Sequence, residues 1–134
     1  NGQLTMSNEA KNSYQHRENV ILTKSKAFAV NIVRLCQSLQ GEKREFVLSK
    51  QVLRSGTSIG ANAKEAINGA SNKDFGNKMT IALKEAGETE YWLEILFETG
   101  YISVEQFDNL IAECRELIKI LTAILNTLKK SLTN

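Results

Sequence analysis

Three glutamates on two neighbouring helical segments are the residues of this chain best suited to chemistry. Glu65, Glu85 and Glu88 can face Arg54 and Asn62 across these segments. Carboxylates that face one another between helices can transfer protons or hold a metal ion. An inter-helix carboxylate cluster therefore makes a small enzyme or a metal-binding bundle one function to consider.

The other residues that such an enzyme needs do not occur in the sequence. A di-iron bundle takes Glu-x-x-His pairs, but the only histidine, His16, lies in a polar N-terminal segment. There is no phosphate-binding glycine loop, no G-x-S-x-G motif and no Cys-His pairing. We therefore expect no catalytic residue, no metal and no cofactor. We interpret these side chains instead as a structural polar network that fixes helix register, consisting of Arg54, Asn62, Glu65 and Glu88, with the small enzyme or metal-binding bundle as the alternative.

The two cysteines and the hydropathy pattern indicate a soluble cytoplasmic protein. Cys36 and Cys114 lie far apart in the chain, without the C-x-x-C spacing of zinc or redox sites. We interpret both as small buried hydrophobic residues, with a disulfide as the alternative. The N-terminal residues lack the apolar core of a signal peptide, and no run approaches the roughly 18 apolar residues of a membrane span. No membrane association is expected.

Lysine and arginine residues form a candidate nucleic-acid-binding set. Such residues can contact phosphates without reading base sequence, in RNA or in DNA. The set consists of Lys43, Arg44, Lys50, Lys64, Lys73 and Lys78. Because aromatic residues do not interleave with it, we expect weak, salt-sensitive binding that several subunits together would strengthen.

Charge is divided unevenly along the chain. Residues 1–84 hold 13 Lys and Arg against 6 Asp and Glu, whereas residues 85–134 hold 4 against 9. The predicted faces are a basic one on the second helix, Lys43, Lys50 and Lys64, and an acidic one on the third, Glu90, Glu94 and Glu98. Complementary patches would suit a head-to-tail ring of subunits, and two solvated faces without a partner are the alternative.

Apolar periodicity predicts four helices in a chain that contains no proline. Residues 1–18 are polar and aperiodic, which predicts a flexible tail. The expected helices run from about Asn19 to Leu39, from about Lys43 to Asn68, from a Ser71/Asp74 cap to Gly100, and onward from a Ser103/Gln106 capping box. The fold class is therefore all-α, an up-down-up-down antiparallel four-helix bundle at residues 19–134.

The third and fourth helices carry regular heptad stripes. The stripes are Phe75, Met79, Ala82, Ala86, Thr89, Leu93 and Leu96, and then Phe107, Leu110, Cys114, Leu117, Leu121, Ile124 and Leu128. A second stripe on the fourth helix consists of Ile111, Ile118, Leu125 and Leu132. This second stripe exceeds what a four-helix core needs and predicts a subunit interface, with burial inside one chain as the alternative.

Small residues lie on the inward stripe of the second helix, at Gly56, Gly60 and Ala63. Each glycine costs about 1 kcal/mol relative to alanine inside a helix, so a packing reason is expected. The pattern predicts either a tight helix crossing or a narrow pocket.

Two segments resemble a known bacterial family. LSKQVLRSGTSIGANAKEA (residues 48–66) and IALKEAGE (residues 81–88) are similar to the four-helix-bundle family encoded in intervening sequences of large-subunit ribosomal RNA. The matching positions are Leu48, Gln51, Arg54, Ser55, Ser58, Ile59, Asn62, Glu65, Ile81, Ala82 and Glu88. The chain departs from the family at Ala66, where glycine is usual, and at Glu85 and Ala86, where a Gly-Ser pair is usual.

The resemblance implies a bundle that assembles into a ring of five subunits and has no established enzymatic activity. Distant relatives of the family include accessory proteins of diversity-generating retroelements. The resemblance to these relatives implies a basic ring that binds nucleic acid and a reverse transcriptase. We therefore expect a non-enzymatic scaffold, a homopentamer whose partners are RNA, DNA or a nucleic-acid enzyme.

Overall fold

Four helices make up the described part of the chain. The computed structural model describes residues 7–69 and 71–133, with the helices α1 (Asn8–Gly41), α2 (Leu48–Ile67), α3 (Asn72–Glu98) and α4 (Val104–Thr133). No strand occurs in these two ranges, and none of the four helices has the length and apolar character needed to cross a membrane. Each helix packs against the next one, and α1 also packs against α4. The predicted all-α four-helix bundle is confirmed.

The first helix begins earlier than the sequence pattern predicts. α1 already includes residues 8–18, for which the pattern predicts a tail, so the predicted boundary is wrong. No glycine or proline interrupts the chain from there to Gly41, and Arg17 donates a hydrogen bond of 2.6 Å to Thr127 on α4. This contact holds the additional turns of α1 against the bundle. Residues 1–6 of the predicted tail lie outside the described residues.

The second helix begins later than predicted. α2 begins at Leu48, and Lys43 lies in the connection that follows α1. Arg44 in this connection has a φ of +56°, a left-handed conformation that cannot continue a right-handed helix. Phe46, which the pattern places on the buried stripe of α2, is consequently 43% exposed in the connection.

The core follows the predicted stripes of α3 and α4. Every residue of the α3 stripe is buried, and so is every residue of the α4 stripe except Phe107, whose ring stacks on Phe97 at the edge of the core. Cys36 and Cys114 are buried and unpaired, as predicted. Burial raises the pKa of the Cys36 thiol to about 11 and that of the Cys114 thiol to about 12, so both thiols are protonated at neutral pH.

The predicted caps at both ends of α3 and at the start of α4 are confirmed. The hydroxyl of Ser71 accepts a hydrogen bond of 3.0 Å from the backbone amide of Asp74. Gly100 has a φ of +83°, in the left-handed region that favours glycine, and ends α3. Ser103 and Gln106 form the expected capping box, because the backbone amide of each donates to the side chain of the other at 2.9 and 3.1 Å.

The small residues of α2 allow α1 and α2 to approach closely. A Cβ atom added at Gly56 would lie 3.0 Å from two side-chain carbons of Ile32, and one added at Gly60 would lie 2.9 Å from Oγ of Ser25. Ala63, the third small residue of the stripe, is fully buried. The predicted tight crossing is therefore confirmed. The structure also has a pocket here, as the alternative prediction expected: an open cavity of about 310 Å³ lies beside Gly60 on the outer side of the crossing.

The close approach predicts that Gly56 does not tolerate a branched side chain. Gly56→Val is expected to lower the free energy of unfolding by about 1–3 kcal/mol because the new carbons would overlap with Ile32. Gly87 is the matched control, since no atom lies near its missing Cβ. Gly87→Val should change stability by less than about 0.5 kcal/mol, the difference in helix propensity. Urea unfolding followed by circular dichroism measures both, and equal losses would contradict the tight crossing.

Candidate nucleic-acid interface

The outward-facing positions of α1, α2 and their connection carry many cations and few carboxylates. Among these cations, Lys24 and Arg34 lie toward α4 and Arg54 lies toward α3. We define the α1–α2 face as the exposed side chains between Asn19 and Lys64. This stretch contains eight lysine and arginine residues, whereas its only acidic residues are Glu42 and Glu45. The cationic residues are Lys24, Lys26, Arg34, Lys43, Arg44, Lys50, Arg54 and Lys64.

Four of the six predicted nucleic-acid-binding residues lie on the α1–α2 face. Lys43 and Arg44 lie in the connection before α2, so the predicted row of lysines along one helix is wrong at Lys43. Lys50 and Lys64 are both exposed on α2. Their separation of nearly four helical turns directs them to the same side, about 21 Å apart. The face therefore presents cations along most of the length of α2.

The other two predicted residues, Lys73 and Lys78, lie on α3 beside the end of α2. Lys78 forms an ion pair of 3.0 Å with Glu65, which offsets its charge. Lys73 is exposed, without an ion pair in the described ranges. These two residues extend the basic surface past the end of α2 but do not form one row with Lys50 and Lys64.

Lys26 is a member of the face that the sequence pattern did not identify. Lys26 on α1 and Lys64 on α2 both line the open cavity beside Gly60. The tight crossing brings these two lysines to one cavity although they are distant in the chain. The sequence does contain a feature that could have identified Lys26, because residues 19–41 include no acidic residue. An analysis of apolar periodicity does not detect this feature.

The connection between α1 and α2 is held by the buried carboxylate of Glu45. This carboxylate accepts hydrogen bonds from the backbone amides of Val47, Leu48 and Ser49 at 3.1, 3.0 and 2.7 Å. It thereby satisfies amides at the N-terminus of α2 that have no partner within the helix. The backbone amide of Glu45 donates to the carbonyl of Leu39 at 2.9 Å, which ties the connection to the end of α1.

This connection displays an arginine and an aromatic ring together. Arg44 holds its left-handed conformation at a cost of roughly 1–2 kcal/mol for a residue with a side chain. Its guanidinium carbon lies 5.3 Å from the centroid of the Phe46 ring, a cation–π contact. Phe46 is 43% and Val47 is 71% exposed. The expectation that no aromatic residue accompanies the basic set is therefore wrong.

Two opposing effects act on the pKa of Glu45. Burial by itself raises the pKa, but the hydrogen bonds from the amides of Leu48, Ser49 and Val47 lower it more, so the pKa lies below its usual value. Because the pKa is lower in the folded than in the unfolded state, ionised Glu45 stabilises the fold at neutral pH. This stabilisation is lost as the pH falls through the lowered folded-state pKa.

Arg54 joins α2 to α3 in a polar network that matches the predicted one only in part. Its guanidinium donates to both carboxylate oxygens of Glu85, at 3.1 and 3.3 Å, and to the carboxylate of Glu88. The indole of Trp92 donates to the same Glu88 at 3.3 Å. Since Glu85 is only 8% exposed, Arg54 is the charge that makes its burial tolerable.

Asn62 and Glu65, the other two predicted members, lie outside this network. The Asn62 amide donates to the carbonyl of Ser58 on its own helix at 2.8 Å. Glu65 pairs with Lys78, several turns further along α2. Glu85, one of the three positions where the chain departs from the family pattern, occupies the place in the network that the prediction gave to Glu65.

Two carboxylates of the predicted cluster form ion pairs with the same arginine. Glu85 and Glu88 on α3 both bind the guanidinium of Arg54 on α2, so their negative charges are balanced by an ion pair between the two helices. Across residues 7–69 and 71–133, no three His, Cys, Asp or Glu side chains are grouped so that they could hold a metal ion. The arrangement fixes the α2–α3 contact, which is the role that the polar-network interpretation gives it.

The predicted acidic face of α3 is partly neutralised within the chain. Arg115 on α4 donates to Glu90 at 2.8 Å and lies 4.0 Å from Glu94. Glu98 is exposed. The acidic charge that a head-to-tail contact would use is thus reduced by an arginine of the same chain.

The second stripe of α4 is largely buried by the chain itself. Ile111 is 5% exposed, and Ile118 and Leu125 are half-buried against the core. Leu132 is 60% exposed. Three of these four residues are therefore covered within one chain. Leu132 is the member of the stripe that is still exposed and available for the predicted subunit interface.

The four packed helices define the class of fold to which the chain belongs, an all-α four-helix bundle. Over residues 17–123 the chain matches the family model of the 23S rRNA-intervening sequence proteins. The chain belongs to this family, and the resemblance carried by α2 and α3 is confirmed. The more distant likeness to retroelement accessory proteins stays a prediction.

A solved structure supports the same assignment. A protein of unknown function from the S23 ribosomal protein family of Bacteroides thetaiotaomicron VPI-5482 is 53% identical to this chain, with a TM-score of 0.81. The match covers 82% of this chain and 98% of that one. Among proteins with curated descriptions, none is similar in sequence. The comparisons establish the family and the fold and leave the biochemical role open.

The hydrogen bonds of Glu45 predict a pH-dependent contribution to stability. Glu45→Ala is expected to lower the free energy of unfolding at pH 7 by about 1–2 kcal/mol because three amides lose their acceptor. The difference from the wild-type protein should shrink as the pH falls below the usual glutamate pKa. Urea unfolding across this pH range measures it. Glu42→Ala, at an exposed position of the same connection, is the control and should stay within about 0.5 kcal/mol of wild type. A loss at Glu45 that does not depend on pH would contradict the role of its ionised carboxylate.

Proposed function

We propose that this protein is a non-enzymatic interaction protein that binds the phosphate backbone of nucleic acid through its α1–α2 face, without reading base sequence. The unequal charge of that face is the observation that carries the proposal. Between Asn19 and Lys64, eight cationic residues stand against two acidic ones. A cytoplasmic setting, in which RNA and DNA are both accessible, is part of the proposal.

Most of the cations on this face are not neutralised by the chain itself. Lys24 is paired with Glu116 at 3.0 Å, and Arg54 is bound by α3. The remaining six have no ion pair in the described ranges. Of the two acidic residues, Glu45 uses its carboxylate oxygens on backbone amides, which leaves Glu42 as the exposed one. Phosphates approaching the α1–α2 face would therefore meet an excess of free positive charge.

The length of the basic surface suits several phosphate contacts. Lys50 and Lys64 are about 21 Å apart along α2, which corresponds to roughly six steps of 3.4 Å along one strand of a duplex. Lys26 lies across the cavity from Lys64, and Lys43 and Arg44 lie at the other end. Contacts of this kind depend on charge and spacing rather than on base identity, so the expected binding is non-specific.

The alternative of a small enzyme is less well supported by the geometry. Glu85 and Glu88 are held by Arg54, and the two buried thiols have raised pKa values that keep them protonated. A proton-transfer or nucleophilic role would require one of these groups to be free or activated.

We further propose that the protein acts as a homopentamer, the assembly that the family resemblance implies. Several copies would present several α1–α2 faces to one nucleic acid, and this would strengthen binding that is weak for a single chain. Leu132 on α4 and Tyr91 on α3, which are 60% and 54% exposed, are apolar residues available for contact between copies.

Charge reversal on the α1–α2 face should lower the affinity for nucleic acid and also make that affinity less dependent on salt concentration. The double variant Lys50→Glu/Lys64→Glu is expected to bind a short single-stranded RNA at least about tenfold more weakly at low salt. The slope of log K against log salt should fall by about 0.7 for each lost phosphate contact. Fluorescence anisotropy titrations at several salt concentrations measure both quantities.

The matched control carries the same change of net charge on another helix. Lys119→Glu/Lys129→Glu, at exposed positions of α4, should retain most of the affinity. Equal weakening by the two double variants would contradict a dedicated α1–α2 face, and wild-type binding that does not respond to salt would contradict the proposal as a whole.

The pentamer predicts a native mass near 75 kDa, five times the 15.0 kDa of one chain. Native mass spectrometry of protein purified without nuclease measures it, and the ultraviolet absorbance ratio of the same sample reports bound nucleic acid. A mass of one chain at micromolar concentration would remove the pentamer from the proposal. The α1–α2 face would then still be tested by the charge-reversal titrations.

A further inference from the structure

The connection between α1 and α2 presents a surface that phosphate contacts alone do not use. We propose that this connection, residues 42–47, is a stacking site for an unpaired base of single-stranded nucleic acid, RNA or DNA. We call it the Arg44–Phe46 turn. The inference rests on the proposed function and deepens it, because it assigns the class of strand that the α1–α2 face prefers.

The Arg44–Phe46 turn is fixed before any partner arrives. The carboxylate of Glu45 accepts three backbone hydrogen bonds, and its own backbone amide donates to Leu39. Ser49 adds a hydrogen bond of 2.8 Å from its hydroxyl to the Glu45 carbonyl. These contacts hold Arg44 at a φ of +56°, a conformation that side-chain-bearing residues rarely adopt. Such unusual backbone conformations cluster where a protein contacts a ligand.

The turn holds an aromatic ring partly in solvent. Phe46 is 43% exposed, and Arg44 lies over its ring at 5.3 Å. A phenylalanine in a four-helix bundle can normally be buried, and the periodicity of α2 would have buried this one had the helix begun at the predicted residue. Aromatic rings and arginine guanidinium planes are the groups on which proteins stack unpaired bases.

Exposed cationic residues precede and follow Phe46 in the chain. Lys43 precedes Arg44 in the turn, and Lys50 follows on the first turn of α2. Both are exposed and lack an ion pair within residues 7–69 and 71–133. A base stacked on Phe46 would place its neighbouring phosphates near these cations, and the strand would continue along α2 toward Lys64.

The combination distinguishes single strands from duplexes. The faces of a paired base inside a duplex are covered by its neighbours, so a duplex can use the cations but not the ring. An unpaired base can use both. Stacking of one base on one aromatic side chain corresponds to about a 5- to 150-fold change in affinity.

The test compares variants of the turn on three probes. The probes are labelled oligo(U) RNA, labelled oligo(dT) DNA and an RNA duplex, each about 12 nucleotides long, measured by fluorescence anisotropy. Phe46→Ala is expected to weaken binding to the single strands by about fivefold or more and to the duplex by less than about twofold. Phe46→Trp should retain the affinity for single strands, because its ring also stacks.

Val47→Ala is the matched control, since Val47 is more exposed than Phe46 in the same turn but carries no ring. It should bind all three probes within about twofold of wild type. Circular dichroism and urea unfolding of each variant confirm that the fold is retained, which is expected because both side chains lie outside the core. Equal effects on the RNA and DNA strands would assign the preference to the base rather than to the sugar.

Two outcomes overturn the stacking site and are distinct from failure of the proposed function. If Phe46→Ala leaves single-strand affinity unchanged while Lys50→Glu/Lys64→Glu lowers it, the α1–α2 face binds phosphates and the turn does not stack bases. If Phe46→Ala and Val47→Ala weaken all probes equally, the turn contributes general contact area and not stacking. Failure of the wild-type protein to bind any probe would overturn both the proposed function and this inference.

Discussion

The close approach of α1 to α2 is the contact on which the candidate interface depends. The missing side chains of Gly56 and Gly60 let Ile32 and Ser25 lie within about 3 Å of where a Cβ atom would stand. Each glycine costs about 1 kcal/mol in helix propensity, and the packing of α1 offsets this cost. Between Asn19 and Lys64 these two helices carry no acidic residue, since Glu42 and Glu45 both lie in the connection that joins them. A wider crossing would separate their lysines and leave two narrow basic strips instead of one face.

Long apolar periodicity was sufficient to predict the bundle, but it could not predict where two of the helices begin. The stripes of α3 and α4, with the Ser71 cap and the Ser103/Gln106 box, identify their own helix ends because the signals are local. The start of α1 depends on contact with α4 through Arg17 and on the absence of a helix breaker. The start of α2 depends on a buried glutamate that caps the helix from outside its first turn. Neither helix start is marked by one of the usual N-cap residues, so residue type and spacing did not reveal where α1 and α2 begin.

The same limits explain which site residues were found from the sequence. Lys50 and Lys64 were identified because a seven-residue spacing keeps them on one side of a continuous helix. Lys26 was not, because its neighbour Lys64 comes from another helix and only the crossing brings them to one cavity. Phe46 was assigned to the core because its spacing fits α2, and it is exposed because α2 begins after it. The spacing of residues within one helix therefore predicts which side chains share a face of that helix. It does not predict a surface that is formed by two helices or by a turn.

A net charge of +2 understates what the α1–α2 face can do. At an ionic strength of about 0.1 M, charges separated by more than roughly 10 Å are largely screened, and packed helices already lie about 8–10 Å apart. Glu116 on α4 does pair with Lys24, but carboxylates of α3 and α4 that lie farther away do little to cancel the free lysines, and Arg54 and Arg115 already bind several of them. The Arg44–Phe46 turn adds to this local charge a conformation that is fixed by folding, so binding would not have to order it. The family match covers residues 17–123 and therefore includes this turn, but it assigns no role to any residue of the turn. The role proposed for the turn is accordingly argued from Arg44, Glu45 and Phe46 themselves.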